Sequence, residues 1–256
     1  MIYDIDMHEV SDKFAKCWRT AGQHLDSQNH RGEVKWLKAG LFPPFLEHLS
    51  FRLENQVFFI RIDDVDGIVR GPGNPDGFRI ISKGWNGHAC RMPMQRKSGV
   101  WEPSIPGWGL IDDNTEEPID PRALVSDEKI KMTDWELQDF AVQVIRDYIA
   151  DELGRKPMST QGNPDVDPSI WFVGENGPEW VVVRLATYPE KAANQPSNMA
   201  DIAARCSRMS NIGHFASVAV VSPGDTSENG APVLPLLRGH STVSYTHLRA
   251  HETRGN

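Results

Sequence analysis

The chain has no excess of positive charge, few cysteines and no long apolar run, and each shortage removes a class of protein. Lysine and arginine number 27 against 35 aspartates and glutamates, a net charge of −8. Broad electrostatic capture of nucleic acid needs a basic face, so a protein partner is expected ahead of DNA or RNA. Cys17, Cys90 and Cys206 stand far apart with no metal-ligand spacing. An odd, sparse count argues against a disulfide framework and for reduced thiols in the cytoplasm. No apolar run approaches the roughly 20 residues needed to cross a bilayer. The opening MIYDIDMHEVSDKF is acidic where a secretory signal would be basic and then apolar. A cytoplasmic protein without membrane association is expected.

What is present is ordinary globular material: 256 residues, 39% hydrophobic and 24% charged, enough for one large domain or two small ones. In the N-terminal half, Val10, Phe14, Cys17, Trp18, Ala21 and Leu25 recur at helical spacing, predicting a helix over residues 8–26. VKWLKAGLF suggests a short second helix. QVFFIRI, residues 56–62, is a strand rich in aromatic and β-branched residues. It runs into Asp63, Asp64, Asp66 and Gly67. Residues 70–77 form a loop by their glycines and prolines, and residues 78–82, 87–96 and 99–101 read as short strands. Residues 112–132, rich in proline and acids, read as an ordered connection after an N-terminal α+β region over residues 1–111. No internal repeat stands out.

Residues 133–223 are the clearest block. Thr133 and Glu136 form a capping box opening a helix that buries Leu137, Phe140, Val144, Ile145, Tyr148 and Leu153, with Gly154 as its C-terminal cap. Strands follow at residues 158–161, 170–173 and 180–186, the last two joined through Glu175-Asn176-Gly177. Asn198 and Asp201 are expected to cap a helix running to Met209 and stopped by Gly213. A last strand covers residues 215–222. The fold class expected is α/β, or α+β overall, with a mixed sheet in this half.

Helix, three strands, helix, strand resembles the core of the PD-(D/E)xK, restriction-endonuclease-like superfamily. The resemblance implies a metal-binding aspartate at the second strand, matched by Asp165 or Asp167, and an acid-x-lysine triplet on the third. Arg184 of WVVVR stands at the lysine position, and Val182 occupies the place of the acid. Glu179 opens the same strand on the opposite face, and Glu136 of the preceding helix is a further candidate carboxylate. The catalytic set implied is therefore Asp167, Glu179, Arg184 and Glu136, with Asp165 and Asp167 holding Mg²⁺ for phosphodiester hydrolysis. Because the motif is degenerate, the leading expectation is a non-catalytic binding or accessory protein on this scaffold, with no cofactor expected. A divalent-metal-dependent nuclease acting on DNA or RNA is one alternative. A chaperone-like or immunity-type interaction domain is another, since a helix followed by a three-stranded meander also builds such folds. The chain as a whole is similar to bacterial proteins with segments such as MTDWELQDFAVQVI and DPSIWFVGENGPEWVVVR, a likeness that brings no activity with it.

Other constellations carry less. Asp63, Asp64 and Asp66 lack the further oxygen ligands of a calcium loop. The glycines at 71, 73 and 77 are not followed by a Gly-Lys-Ser/Thr phosphate cradle. His88 and Cys90, two apart on a strand, share a face and offer half a metal site or a thiol–imidazole pair. Trp171 and Trp180 are expected to pack across paired strands. VSYTHLRAHET, within residues 243–256, resembles one reading frame of an adapter used in transposon-based sequencing libraries. That resemblance implies a genuine sequence stopping near Thr242 and a tail outside the fold.

Overall fold

The computed structural model describes residues 11–29, 32–39, 41–42, 45–46, 48–71, 75–222, 235–239 and 243–249. It is α+β, built on mixed sheets, and divides into two compact units, Ile2–Ile130 and Lys131–Asn256. Among the described residues no helix is long and apolar enough to cross a membrane.

In the N-terminal unit the Ser11 hydroxyl accepts the Phe14 amide and starts helix α1, Asp12–Gln28. One face of α1 buries Phe14, Cys17, Trp18, Ala21 and Leu25. Strand β1, Val34–Lys38, follows, then a small ladder of β2, Leu41–Phe42, with β3, Phe45–Leu46. The run expected as a helix from Val34 to Phe42 thus carries strands at Val34–Lys38 and Leu41–Phe42. Trp36 of β1 sits opposite Phe51 in β4, Leu49–Leu53, with the two rings 5.9 Å apart and edge to face. Cross-strand aromatic packing of this kind outweighs the modest helical preference of so short a run. A tight turn at Glu54 and Asn55 leads into β5, Gln56–Asp64.

Helix α2, Pro75–Gly84, replaces the strand expected at residues 78–82. Its proline stands in the first turn, where no amide is needed, and Phe78 and Ser82 are buried one helical repeat apart. The helix is also a topological requirement. The next strand β6, His88–Lys97, lies parallel to β5, and parallel neighbours need a crossover connection. Strands β7, Val100–Pro103, and β8, Ile111–Asp112, both pair antiparallel with β6, giving the order β1-β4-β5-β6-β7 with β8 off the path. The segment expected as a connection over residues 112–132 belongs to this unit as far as Ile130. Ile119, Leu124 and Val125 pack on its core. The Asn55 amide donates to Ser126 Oγ and to the Glu128 carbonyl.

In the C-terminal unit the capping box of Thr133 and Glu136 is complete, and α3 runs Asp134–Asp147. The expected continuation to Leu153 is instead a π-helical turn at Tyr148–Glu152, after which Gly154 takes φ +61°. The wider turn rotates the last side chains away from the α-helical face. Ile149 is buried, and Leu153, expected in the core, is 46% exposed. The meander β9 (Lys156–Thr160), β10 (Ile170–Val173) and β11 (Pro178–Thr187) is antiparallel. Helix α4, Met199–Cys206, then crosses over to β12, Gly213–Val221, parallel to β11. Asn198 precedes α4 without the side-chain cap expected of it. Gly213, expected as a helix stop, is the first residue of β12. A Cβ there would come within 2.1 Å of the Trp180 indole.

Val243–Arg249, read from sequence as outside the fold, forms β13 and pairs along its length with β12. The sheet order is β13-β12-β11-β10-β9. Helix α3 packs on one face against Ile170, Val181, Val183, Ala216 and Val218. Ile202 and Cys206 of α4 pack on the other against Trp180, Val182 and Phe215. Burial on both faces is why residues 180–183 are apolar without alternation. Ile145→Ala, at a fully buried site in α3, should lower unfolding free energy by about 2–5 kcal/mol. Leu153→Ala should stay within about 0.5 kcal/mol. Urea denaturation of both variants distinguishes this helix face from the one expected of a continuous α-helix.

Candidate functional site

Alternation along β11 decides which acids can meet. Trp180, Val182 and Arg184 project to the α4 side, whereas Glu179, Val181 and Val183 project to the α3 side. On the α4 side, the Arg184 guanidinium grips Asp167 with both nitrogens. Nη1 donates to Oδ1 at 2.9 Å and Nη2 to Oδ2 at 2.6 Å, and Nη1 also donates to the Val183 carbonyl. The Asp167 side chain is only 9% exposed. Planar, two-point contact of this kind is the strong form of an arginine–carboxylate pair. Asp165 is exposed, and its amide donates to Asn163 Oδ1 in the turn that carries it.

Glu136 occupies the first turn of α3. Its Oε2 accepts the Thr133 amide at 2.8 Å. Both its oxygens also accept from Arg238, with Nε at 2.7 Å and Nη2 at 2.9 Å. The two side chains are 3% and 1% exposed. Glu179 accepts His214 Nε2 at 2.7 Å and lies where a Cβ on Gly174 would fall. The carboxylates proposed as a catalytic set are therefore held by separate partners, Asp167 on the α4 side and Glu179 on the α3 side. Arg184 and Arg238 are the cations paired with Asp167 and Glu136, while Glu179 is held by its hydrogen bond with His214. Among the described residues no group of three His, Cys, Asp or Glu side chains is placed to hold a metal ion.

Sequence reasoning missed three parts of this arrangement. Arg238 lies far from Glu136 in the chain, so no local signal marks it. His214 follows Gly213 at a strand opening, where no motif singles it out. Asp139, 3% exposed on the buried face of α3, accepts Gln143 Nε2 at 2.6 Å and packs so closely that Gly162 can carry no side chain. Its neighbour Gln138 donates to the Val183 carbonyl. An acid and an amide inside an otherwise apolar helical face were the available clue.

The other candidates resolve individually. Asp64 accepts the amides of Asp66, Ile68 and Val69, so the acidic run forms a loop held by its own backbone. Burial pushes Asp63 upward, against the pull of Arg61 and Arg91. His88 Nε2 lies 3.0 Å from Gln56 Oε1, while the Cys90 thiol faces the His88 carbonyl. Trp171 does sit opposite Trp180.

All three thiols are buried. Burial, then the Asp64 charge, pushes Cys17 up to about 12 from an ordinary 9.0. Burial raises Cys206 to about 11, with Asp167 adding to it and Arg205 opposing. Cys90 is raised further by burial and by Asp112 and Asp113. The reactive form of cysteine is the thiolate, so none of the three is prepared as a nucleophile.

The model of a domain of unknown function, DUF8840, matches residues 135–250, from the second residue of α3 to just past β13. No curated protein and no solved structure matches the chain.

Two outcomes follow for these groups. Glu136→Gln should cost about 3–5 kcal/mol in urea unfolding, because Arg238 is left charged and buried. Replacing both partners by apolar residues should recover part of that loss. For the thiols the folded state favours the protonated form. Their stabilisation is complete below pH 9.0 and declines as pH rises toward about 11 and 12. A thiol reagent at pH 8 should modify the unfolded chain and leave the native one largely unlabelled.

Proposed function

We propose that this protein is a non-catalytic binding or accessory protein of the bacterial cytoplasm, built on a nuclease-like scaffold. The observation that carries the reading is the two-point grip of Arg184 on Asp167. A carboxylate that is to hold Mg²⁺ must offer a free oxygen to a hard cation. Here both oxygens already face a guanidinium that cannot lose its charge at any ordinary pH. Arginine in place of lysine also removes the proton exchange that would prepare a nucleophile. The scaffold part of the reading draws on the element order, with α4 carrying the chain to a β12 parallel to β11. An all-antiparallel sheet would have favoured the chaperone-like or immunity-type alternative.

The net charge of −8 favours a protein partner over a polyanion. The cytoplasmic placement rests on three unpaired, buried thiols, which a reducing compartment preserves.

The test is a cleavage assay on the intact protein with single- and double-stranded DNA and RNA, in Mg²⁺ and in Mn²⁺. No cleavage is expected, and Asp167→Ala should register only as a loss of stability of about 1–3 kcal/mol, from an arginine deprived of its partner. Cleavage by the intact protein that disappears in Asp167→Ala would overturn the reading and establish the metal-dependent nuclease in its place.

A further inference from the structure

The two units, described separately, run through the same elements in the same order. In the N-terminal unit the sequence is α1, β1, β4, β5, α2, β6, β7, with the small β2–β3 ladder inserted after β1 and the two-residue β8 and a 3-10 turn at Pro121–Leu124 added after β7. In the C-terminal unit it is α3, β9, β10, β11, α4, β12, β13. The main sheet paths, β1-β4-β5-β6-β7 and β9-β10-β11-β12-β13, correspond strand for strand, and β8, which pairs with β6 off the path, is extra. So do the directions: antiparallel at every junction except the third, β5–β6 and β11–β12, which is parallel in both. The first helix of each unit packs on the face of the central strand that carries Phe58 and Ile60, or Val181 and Val183.

Topology alone recurs among unrelated proteins. The side chains agree as well, position by position. Each first helix starts Ser-Asp or Thr-Asp, with Ser11 or Thr133 accepting the amide three residues on. Each central hairpin turns through Glu-Asn, at Glu54-Asn55 and Glu175-Asn176. The central strands read Gln56-Val-Phe-Phe-Ile-Arg61-Ile and Glu179-Trp-Val-Val-Val-Arg184-Leu. The following parallel strands open on Gly87-His88 and Gly213-His214.

The registers make these residues equivalent in space. His88 stands opposite Phe58, and His214 opposite Val181. Two residues before each of those lies the histidine's partner. His88 Nε2 reaches Gln56 Oε1 at 3.0 Å, and His214 Nε2 reaches Glu179 Oε2 at 2.7 Å. Both preceding glycines are required by close approach. A Cβ on Gly87 would come within 2.9 Å of the Phe59 ring, and one on Gly213 within 2.1 Å of Trp180. Each pair of matching residues is separated by nearly the same length of chain.

We infer that the chain is a tandem of two copies of one module, and that His88 with Gln56 and His214 with Glu179 are the same polar clamp, one in each copy. The clamp ties the opening of the crossover strand to the opening of the central strand. Arg184 then has a twin in Arg61, which pairs with Asp63 at 3.1 Å and Asp113 at 3.5 Å. An arginine present at the same strand position in both copies, with aspartate partners in both, is a framework residue of the module. The matched domain family, at residues 135–250, covers one copy, and the first copy is its divergent companion. This inference goes beyond the binding reading and does not depend on it.

The test exchanges the twin partners within the full chain. The double variant Gln56→Glu with Glu179→Gln places each copy's partner in the other. Gln56→Leu and Glu179→Leu serve as controls that remove the clamp. Folding is followed by thermal melting and by native-state hydrogen exchange resolved to individual strands. The exchanged chain should melt within about 5 °C of the parent, with protection retained on β5–β6 and β11–β12. Each leucine variant should accelerate exchange in its own unit alone. If the exchanged chain loses protection in either unit as fully as the leucine variant of that unit, or fails to fold, the copies are not interchangeable there and the inference is overturned. A second measurement needs no variant. The parent's slowest-exchanging amides should fall on twin positions of β5 and β11, and a slow core on non-equivalent elements would overturn it equally.

Discussion

In each unit everything hangs on one strand that has a parallel neighbour. Once β11 lies parallel to β12, the chain must leave the sheet at one end and return at the other, and α4 is the piece that does so. Since α3 already covers one face of β11, α4 has the opposite one. Both faces of the strand are then buried, Trp180 and Val182 toward α4 and Val181 and Val183 toward α3. The same constraint acts on β5, where α1 covers Phe58 and Ile60 and the crossover α2 follows before β6. A central strand buried on both sides tolerates few polar groups, and those present must be satisfied on the spot.

That requirement accounts for the fate of the acids. A nearly buried carboxylate is expensive without a partner, and each acid at stake has one that matches its position. Asp167 has a planar fork from Arg184 on the adjacent strand. Glu136 joins a helix-capping bond to a buried ion pair with Arg238. Glu179, at the sheet's rim, has His214. A shared metal site would instead leave the carboxylates facing one another across a cavity, stabilised by the ion alone. The Asp167–Arg184 geometry is what makes binding, rather than hydrolysis, the function proposed.

The likeness of the two units changes the weight of single residues. A histidine after a glycine at a strand opening is unremarkable once. Twice, in the same register and with a Gln or Glu at the same place, it marks a recurring solution to one packing problem. The aromatic ring or indole crowds the strand start, glycine gives way, and the histidine secures the join from the other face. Where the copies differ, they differ in the ways drift allows: a longer hairpin at Glu175-Asn176, a π-helical end to α3, and a small extra ladder after β1.

Much of this was legible in the residues. The capping box, the WVVVR strand and the order of elements over residues 133–222 follow from periodicity, caps and turn chemistry, which are local and survive without context, while the mixed sheet was an expectation that went with the family resemblance. What failed failed for tertiary reasons. Residues 34–42 and 78–82 are short runs whose own preferences are weak, and the partner strand or the crossover decided them. Leu153 left the core because a π-turn shifted the helical phase by less than any pattern reveals. The repeat escaped notice because it lies in register and contact more than in identity. Twin positions hold Gln and Glu, or Phe and Val, which match in face and not in letter. Where apolar strips lie and how helices begin can be read from the residues, because both depend on neighbours in the chain. Which charges meet is set by the fold, because Arg238 and Glu136 lie far apart in the chain and come together in one buried place.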